Sequence, residues 1–433
     1  MGTELVAATE LVAGAEVAPP PSGTRSLRPR TRIGHYAALL SPNALTAGRL
    51  ALDRDVQGRS TRVLEAARAL PMPWSDRASG ARMRGLIVSP GGGVRWRSIP
   101  APSRPGPDGA IVRPLAVATC DVDRAMMLGR TPFPLPMLLG HECVAEVVEI
   151  GARVSSVRVG QRVVVPFQIN CGRCGPCTRG HQGNCTSVPP ASMYGFGLAG
   201  GLWGGTLADL LAVPYADAML VALPAGVDPV AAASVADNVS DAYRQVAPHL
   251  PTLLAGDPDA QVLIVARLSR RDPLTSSTAL YAGLIAKALG ARNIAVVDSR
   301  PAVRDLAERL GLRPLDSRRP REWPTAPLTV DATGTPAGLR QVLRHTAPDG
   351  VCTCVWSLHR RVGFPLAASY VRNLTLHVGR SHARALIPEV LALMAAGRLR
   401  PELVITRVAS FDDAPSALRE HCRDDAIKTI LVA

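Results

Sequence analysis

The sequence predicts an α/β chain of two architectures: a β-rich, partly barrel-like body over residues 83–225, then a doubly wound parallel sheet with crossover helices. Three observations predict it. Short apolar runs punctuated by glycine-rich turns fill the first stretch. After Pro224 the apolar residues recur every three to four positions, alternating with short continuous apolar runs. Finally, four cysteines crowd into the segment Cys171–Cys185. With 433 residues, 47% of them hydrophobic and 19% charged, the chain has an ordinary globular balance and can bury large cores.

Residues 1–82 stand apart. They are rich in Ala, Arg, Pro and Ser (APPPSGTRSLRPRTR), with one weakly helical patch at Ser60–Leu70. A disordered or weakly structured extension is expected there, or else an over-long start with Met83 as the natural beginning. From Met83, MRGLIV–SPGGG–VRWRSI predicts a hairpin turning on glycines that accept positive φ. Further strands are predicted in AIVRPLAVATC, CVAEVVEIG, RVVVPF and TLADLLAVP. DPVAAASVADNVSDAYRQV has helical spacing. QVLIVA is a strand buried on both faces, and TALYAGLIAKALG is a helix stopped at Gly290. NIAVVD, AVRDLAERLG and PLTVDATG continue the alternation, and the tail adds a helix (LIPEVLALMAAG) and a last strand, TILVA.

Charge and length exclude several classes of function. The net charge is +14, yet only Lys287 and Lys428 are lysines, and the arginines are scattered without interleaved aromatics, which make up 4% of the chain. That pattern reads as compositional bias and not as a nucleic-acid surface. No run approaches the roughly 18 apolar residues of a membrane span. The N-terminus carries Glu4, Glu10 and Glu16 and lacks the basic start and apolar core of a secretory signal. A reducing cytoplasm, with thiolates free to bind metal, is the expected location.

The cysteines Cys171, Cys174, Cys177 and Cys185 carry the strongest chemical signal. Four thiolates at this spacing, with glycines that let the backbone wrap, describe a closed tetrahedral structural zinc site. The competing readings are a redox dithiol and an iron–sulfur cluster. The first lacks its βαβ context, and the second favours proline after the last cysteine, where this chain has Thr186.

With that lobe in place the chain resembles the zinc-dependent medium-chain alcohol dehydrogenases. The motifs that carry the resemblance are Gly140-His141-Glu142 upstream of the lobe, Cys120-Asp121-Val122-Asp123 further upstream, and GGTLADLLAVP before the linker helix. The resemblance runs from Met83 to Ala433. It implies a GroES-like catalytic domain over residues 83–240, completed by 379–433, and a Rossmann-like cofactor domain over 241–378. It implies two zinc ions per chain. The catalytic one would be held by Cys120, His141 and Asp237, with Asp241 the less favoured substitute for Asp237. Glu142 would swing toward the metal, and Asp123 would orient His141 from behind. Zinc is redox-silent, so the hydride needs a nicotinamide cofactor. The family also forms dimers and tetramers, so a homo-oligomer acting on a small-molecule substrate is expected.

Two departures from the family pattern stand out. Val122 occupies the position where most members carry a Ser or Thr hydroxyl that starts a proton relay. The Gly-x-Gly-x-x-Gly turn after QVLIVA is also absent: its glycine positions fall on Leu274, Ser276 and Ala279, in a longer loop. Ser276, Ser277, Thr278 and Ala279 at the helix start would then receive the diphosphate, with Arg270 and Arg271 offering charge. Asp298 would bind the adenosine ribose and favour NAD over NADP, a preference blunted by Arg300. Thr333 and Gly334 would contact the cofactor from the next strand end. The leading expectation is an NAD-dependent, zinc-requiring oxidoreductase acting on an alcohol, aldehyde or ketone. The alternative is a zinc-stabilised, non-oxidative member whose cofactor loop has decayed.

Overall fold

The structure is a computed structural model that describes residues 80–433 apart from Pro132, Arg270, residues 356–362 and Asp424. The expected extension, with its helical patch at Ser60–Leu70, lies outside the described residues up to 79.

The chain opens with the predicted hairpin, β1 (Arg82–Val88) and β2 (Val94–Pro100), paired antiparallel and turning through Gly91 and Gly92 at φ +86° and +81°. Next come β3 (Ala110–Ala118), the short helix α1 (Asp121–Met127), β4 (Met137–Leu138), β5 (Glu142–Ile150) and β6 (Arg162–Val165). The cysteine lobe follows, then β7 (Leu211–Val213) and β8 (Val221–Ala222). The strand expected over TLADLLAVP is shorter than its pattern. Its first half runs along β1, where Ala208 bridges Gly85 and the Arg84 amide donates to Asp209 at 2.7 Å, and only Leu211–Val213 pairs with β3.

The helical stretch 228–246 is not continuous. Asp237 leaves helical geometry at φ −145°, ψ −79°, which separates a short turn from α2 (Asn238–Val246). The Ser240 hydroxyl donates to the Val235 carbonyl at 2.6 Å and satisfies an acceptor that the break exposes. Apolar spacing alone does not reveal the break, because the residues on both sides of it are buried.

The second half alternates strands and helices: β9 (Gln261–Arg267), α3 (Ser277–Ala288), β10 (Asn293–Asp298), α4 (Pro301–Arg309), β11 (Arg313–Asp316), β12 (Ala326–Asp331), α5 (Pro336–His345), β13 (Thr346–Cys354) and β14 (Thr375–Val378), of which β11, β13 and β14 are not expected from the sequence. All five pairings are parallel, in the order β11-β10-β9-β12-β13-β14. The strand order reverses between β9 and β12, so their carboxyl ends open the crevice where this fold binds ligands. Apolar residues cover both faces. Val262 and Ile264 pack into one core with α3, while Leu263 and Val265 pack into the opposite one with α5.

The tail, α6 (Ala383–Ala395), β15 (Arg407–Ser410), α7 (Ala414–His421) and β16 (Thr429–Val432), returns to the first body. There β16 lies antiparallel to β3, with Ile430 opposite Ala118, giving a seven-stranded sheet ordered β15-β16-β3-β5-β6-β8 with β7 on the side of β3. The C-terminal strand therefore reaches the end of β3, just before Cys120. No helix among the described residues is long and apolar enough to cross a membrane.

Gly140 sets the entry to β5 at φ +91°, and a Cβ there would lie 2.6 Å from Thr206 Oγ1 and 2.7 Å from the Leu207 amide. Gly140→Ala is expected to cost roughly 1–3 kcal/mol through backbone strain, seen as a fall of several degrees in Tm by calorimetry. An unchanged Tm would show that this turn relaxes freely.

Candidate metal centres and dinucleotide cleft

The cysteine lobe forms as the spacing predicts. The sulfurs of Cys171, Cys174, Cys177 and Cys185 all lie within 4.8 Å of one another, and none forms a disulfide. Backbone amides point at them: Cys171 N–H donates to the Cys185 sulfur, Cys174 N–H to the Cys171 sulfur and Thr186 N–H to the Cys174 sulfur, each at 3.4 Å. Amides aimed at sulfur favour thiolates, and four converging sulfurs leave no open position.

The second cluster joins Cys120, His141, Glu142 and Asp237, again within 4.8 Å, and every member is buried. Cys120 caps the N-terminus of α1, His141 and Glu142 open β5, and the break before α2 turns Asp237 inward. Cys120 Sγ lies 3.4 Å from Asp237 Oδ2, and His141 Nε2 lies 3.5 Å from the same oxygen. The Asp123 carboxylate accepts from the Cys120 amide at 2.8 Å, and its other oxygen sits 3.8 Å from His141 Nδ1, alongside the ring but beyond hydrogen-bond length. Asp241 is turned away and pairs with Arg244 at 2.8 Å, so Asp237 is the carboxylate brought to the cluster.

The donor set fits a zinc ion. It combines one sulfur, one imidazole nitrogen and carboxylate oxygens, and both His141 nitrogens and Glu142 Oε1 are buried without a hydrogen-bond partner. Electrostatics point the same way. Burial, with Asp237 and Glu142 beside it, pushes the Cys120 thiol well above its ordinary pKa. Burial raises Glu142 to about 8 even though Lys428 opposes it. Burial alone would lower His141, but Asp123 and Asp237 outweigh it and hold the imidazole above its usual value. A dication would relieve this crowding of negative charge.

Three residues to which the sequence motifs assign no role complete the cluster. The Lys428 ammonium, fully buried, donates to Glu142 Oε2 at 2.9 Å, to Asn238 Oδ1 at 2.8 Å and to the Thr119 carbonyl. Asn238 in turn donates to the Cys120 sulfur at 3.1 Å and to Asp237 at 3.3 Å. The third is Asp121, which bonds across the cleft. One signal was available beforehand: Lys428 is one of two lysines in a chain that otherwise uses arginine.

The dinucleotide cleft departs from expectation. Ser277 and Thr278 do start α3, but their amides already donate to the Asp121 carboxylate, at 2.9 and 3.1 Å. Ser276 donates to Asp298 at 2.6 Å and accepts from Arg300 at 2.6 Å, while Arg300 also grips Asp298 at 3.1 Å. Ala279 is buried in the α3 core. Thr333 bonds Asp331 and, with Gly334 at φ +63°, forms the turn after β12 without reaching the other groups. Arg271 is exposed, and its carbonyl accepts from Arg130 at 2.9 Å; Arg270 lies outside the described residues. In this conformation the atoms expected to take the diphosphate and ribose are engaged by the chain's own side chains.

A β-rich body carrying a four-cysteine lobe and a Cys/His/Asp cluster, joined to a doubly wound sheet, defines a zinc-binding dehydrogenase architecture. Residues 106–225 match the alcohol dehydrogenase GroES-like domain. Over 349 residues the chain is 29% identical to a protein of Mycobacterium tuberculosis named "Probable zinc-binding alcohol dehydrogenase", covering 77% of this chain and 83% of that one. A glutathione-independent formaldehyde dehydrogenase of Pseudomonas aeruginosa is 39% identical over 150 residues, 33% of this chain and 37% of its own length. The structure of an alcohol dehydrogenase from Thermus sp. ATN1 superposes with a TM-score of 0.71 at 28% identity, covering 81% of this chain and 99% of that one. These likenesses in sequence and fold support the zinc-dependent medium-chain alcohol dehydrogenase family for this chain.

Removing the Lys428 ammonium would leave Glu142 Oε2, Asn238 Oδ1 and the Thr119 carbonyl without their buried donor. Lys428→Met is expected to destabilise the fold by roughly 3–5 kcal/mol in urea unfolding. A loss below about 1 kcal/mol, the range of exposed pairs, would mean that the pair is solvated.

Proposed function

We infer that the chain is a zinc-dependent oxidoreductase that exchanges hydride between a nicotinamide cofactor and a small alcohol, aldehyde or ketone. The observation that carries this reading is the buried convergence of Cys120, His141, Glu142 and Asp237 within 4.8 Å. Cys120, His141 and Asp237 would hold one zinc, and Cys171, Cys174, Cys177 and Cys185 a second, structural one. Bound at the first site, zinc supplies Lewis acidity that eases proton loss from an alcohol or polarises a carbonyl.

The chain's own residues shape that site. Asn238 fixes the Cys120 sulfur and the Asp237 carboxylate in one arrangement. Asp123 caps the Cys120 amide and places a carboxylate beside the His141 ring. Val122 is buried and offers no hydroxyl, so Glu142, whose Oε1 has no hydrogen-bond partner, is the proton acceptor available in its place.

Finer parts of the reading follow. Asp298 at the end of β10 favours NAD over NADP, and its ion pair with Arg300 keeps that preference narrow. Residues 83–240 with 379–433 act as the catalytic domain and 241–378 as the cofactor domain, a division supported by β15 and β16 joining the β3 sheet. Exposed Leu366, Tyr370, Val371 and Val378, on or near the edge strand β14, offer an apolar surface for a dimer or tetramer. Nine free cysteines suit a reducing cytoplasm.

The test combines metal analysis with turnover. Wild-type protein is expected to carry two zinc ions and to change nicotinamide absorbance with a panel of small alcohols and aldehydes. Two bound zincs with no turnover by any of them, with NAD or NADP at millimolar concentration, would overturn the assignment. Cys174→Ser should release one zinc and lower Tm by many degrees. Cys120→Ser should release the other, keep Tm within a few degrees and abolish turnover; unfolding of Cys120→Ser would refute the division between a structural and a catalytic site.

A further inference from the structure

The carboxylate of Asp121 occupies the position in the cleft that an anion would take. Asp121 sits at the start of α1 in the β-rich body and is 2% exposed. One of its oxygens accepts from the Ser277 amide at 2.9 Å, the Ser277 hydroxyl at 2.5 Å and the Thr275 hydroxyl; the other accepts from the Thr278 amide at 3.1 Å. Those amides form the N-terminus of α3, a twelve-residue helix whose dipole and orphan N–H groups attract negative charge. A phosphate could not use the same amides while the carboxylate holds them.

The rest of the loop is fastened across the same cleft. Arg124 of α1 donates to the carbonyls of Asp272 and Pro273, at 3.2 and 3.0 Å. Leu274 is 2% exposed and packs into the core of the β-rich body, not that of the parallel sheet. Arg300 donates to the Ala426 carbonyl at 3.1 Å, which ties the end of β10 to the segment leading into β16. The added length of the loop, which the missing glycine turn leaves unexplained, is what lets Leu274 and Thr275 span to α1.

We propose that Asp121 is an internal occupant of the diphosphate position, so that cofactor entry and opening of the cleft are one coupled step. The proposal rests on the nicotinamide oxidoreductase reading above. In the closed state Asp121 neutralises the α3 N-terminus and the loop seals the crevice. A dinucleotide binds only after the carboxylate leaves, and its apparent affinity is reduced by the fraction of molecules that are open. Asp121 makes no direct hydrogen bond to the Cys120, His141 or Asp237 side chains but reaches Cys120 and Asp237 through Ser277 and Asn238, so zinc content is followed on each variant.

The experiment titrates NADH by fluorescence into zinc-loaded wild type, Asp121→Asn and Thr275→Val, with inorganic pyrophosphate titrated in parallel. Zinc content and Tm are measured on each protein. Asp121→Asn keeps the shape and removes the charge; Thr275→Val removes a single hydroxyl and spares the fold if the first variant does not. The expected result is a Kd for NADH at least tenfold lower in Asp121→Asn, about 1.4 kcal/mol, and several-fold lower in Thr275→Val, with pyrophosphate following the same order. If the wild type binds NADH and both variants bind it equally or more weakly, the latch is overturned while the oxidoreductase reading stands. If no protein, wild type or variant, binds NADH at millimolar concentration, the latch is overturned together with the nicotinamide reading.

Discussion

Four carboxylates, those of Asp121, Asp123, Glu142 and Asp237, are buried at the junction between the two sheets, each at most 6% exposed. Charges withdrawn from water this completely need compensation close at hand, and the structure supplies it from three directions. Lys428 reaches in from the segment before β16 to Glu142. The α3 N-terminus meets Asp121 from the parallel sheet. His141 lies beside Asp123 and Asp237, where a dication would add the largest local charge. Much of the junction's geometry follows from this need. The chain breaks its helix at Asp237, returns its C-terminus to β3, and extends the loop before α3.

The same arrangement links metal centre and cleft through few atoms. Asn238 bonds Cys120 and Asp237 with its amide nitrogen, and its oxygen accepts from Lys428 at 2.8 Å and from the Ser277 hydroxyl at 3.0 Å. Asp121 is the neighbour of Cys120 in the chain and the partner of Ser277 in space. A shift of α3 relative to the β-rich body would therefore be felt at Cys120 and Asp237 through one or two hydrogen bonds. That is the physical basis for coupling between occupancy of the cleft and the set of the metal cluster.

The two candidate metal clusters differ in how local their information is. The four-cysteine cluster lies within a single loop, where spacing and glycine placement are enough to bring four sulfurs together. The other draws on residues 120, 141 and 237, which meet only because β3 and β5 are adjacent antiparallel neighbours and the break before α2 projects its carboxylate onto them. The hydrogen bonds that trim this site come from further away still, with Lys428 lying 286 residues from Glu142.

Periodicity placed β9, α3, β10, α4 and β12 close to their observed bounds, because strands buried on both faces and amphipathic helices write their environment into local composition, but it named no residues for β11, β13 or β14. It overextended the strand at TLADLLAVP and ran straight through the break at Asp237, since a half-strand on a neighbouring sheet edge and a buried kink have the same apolar residues as regular elements. By itself the sequence determined the four-cysteine cluster and the two architectures, which depend on short-range spacing and periodicity. Only the tertiary structure decided that Asp237 and not Asp241 faces Cys120, that Lys428 neutralises Glu142, and that Asp121 covers the amides of α3. Those outcomes depend on which buried charges find partners across the junction, and no local pattern records that choice.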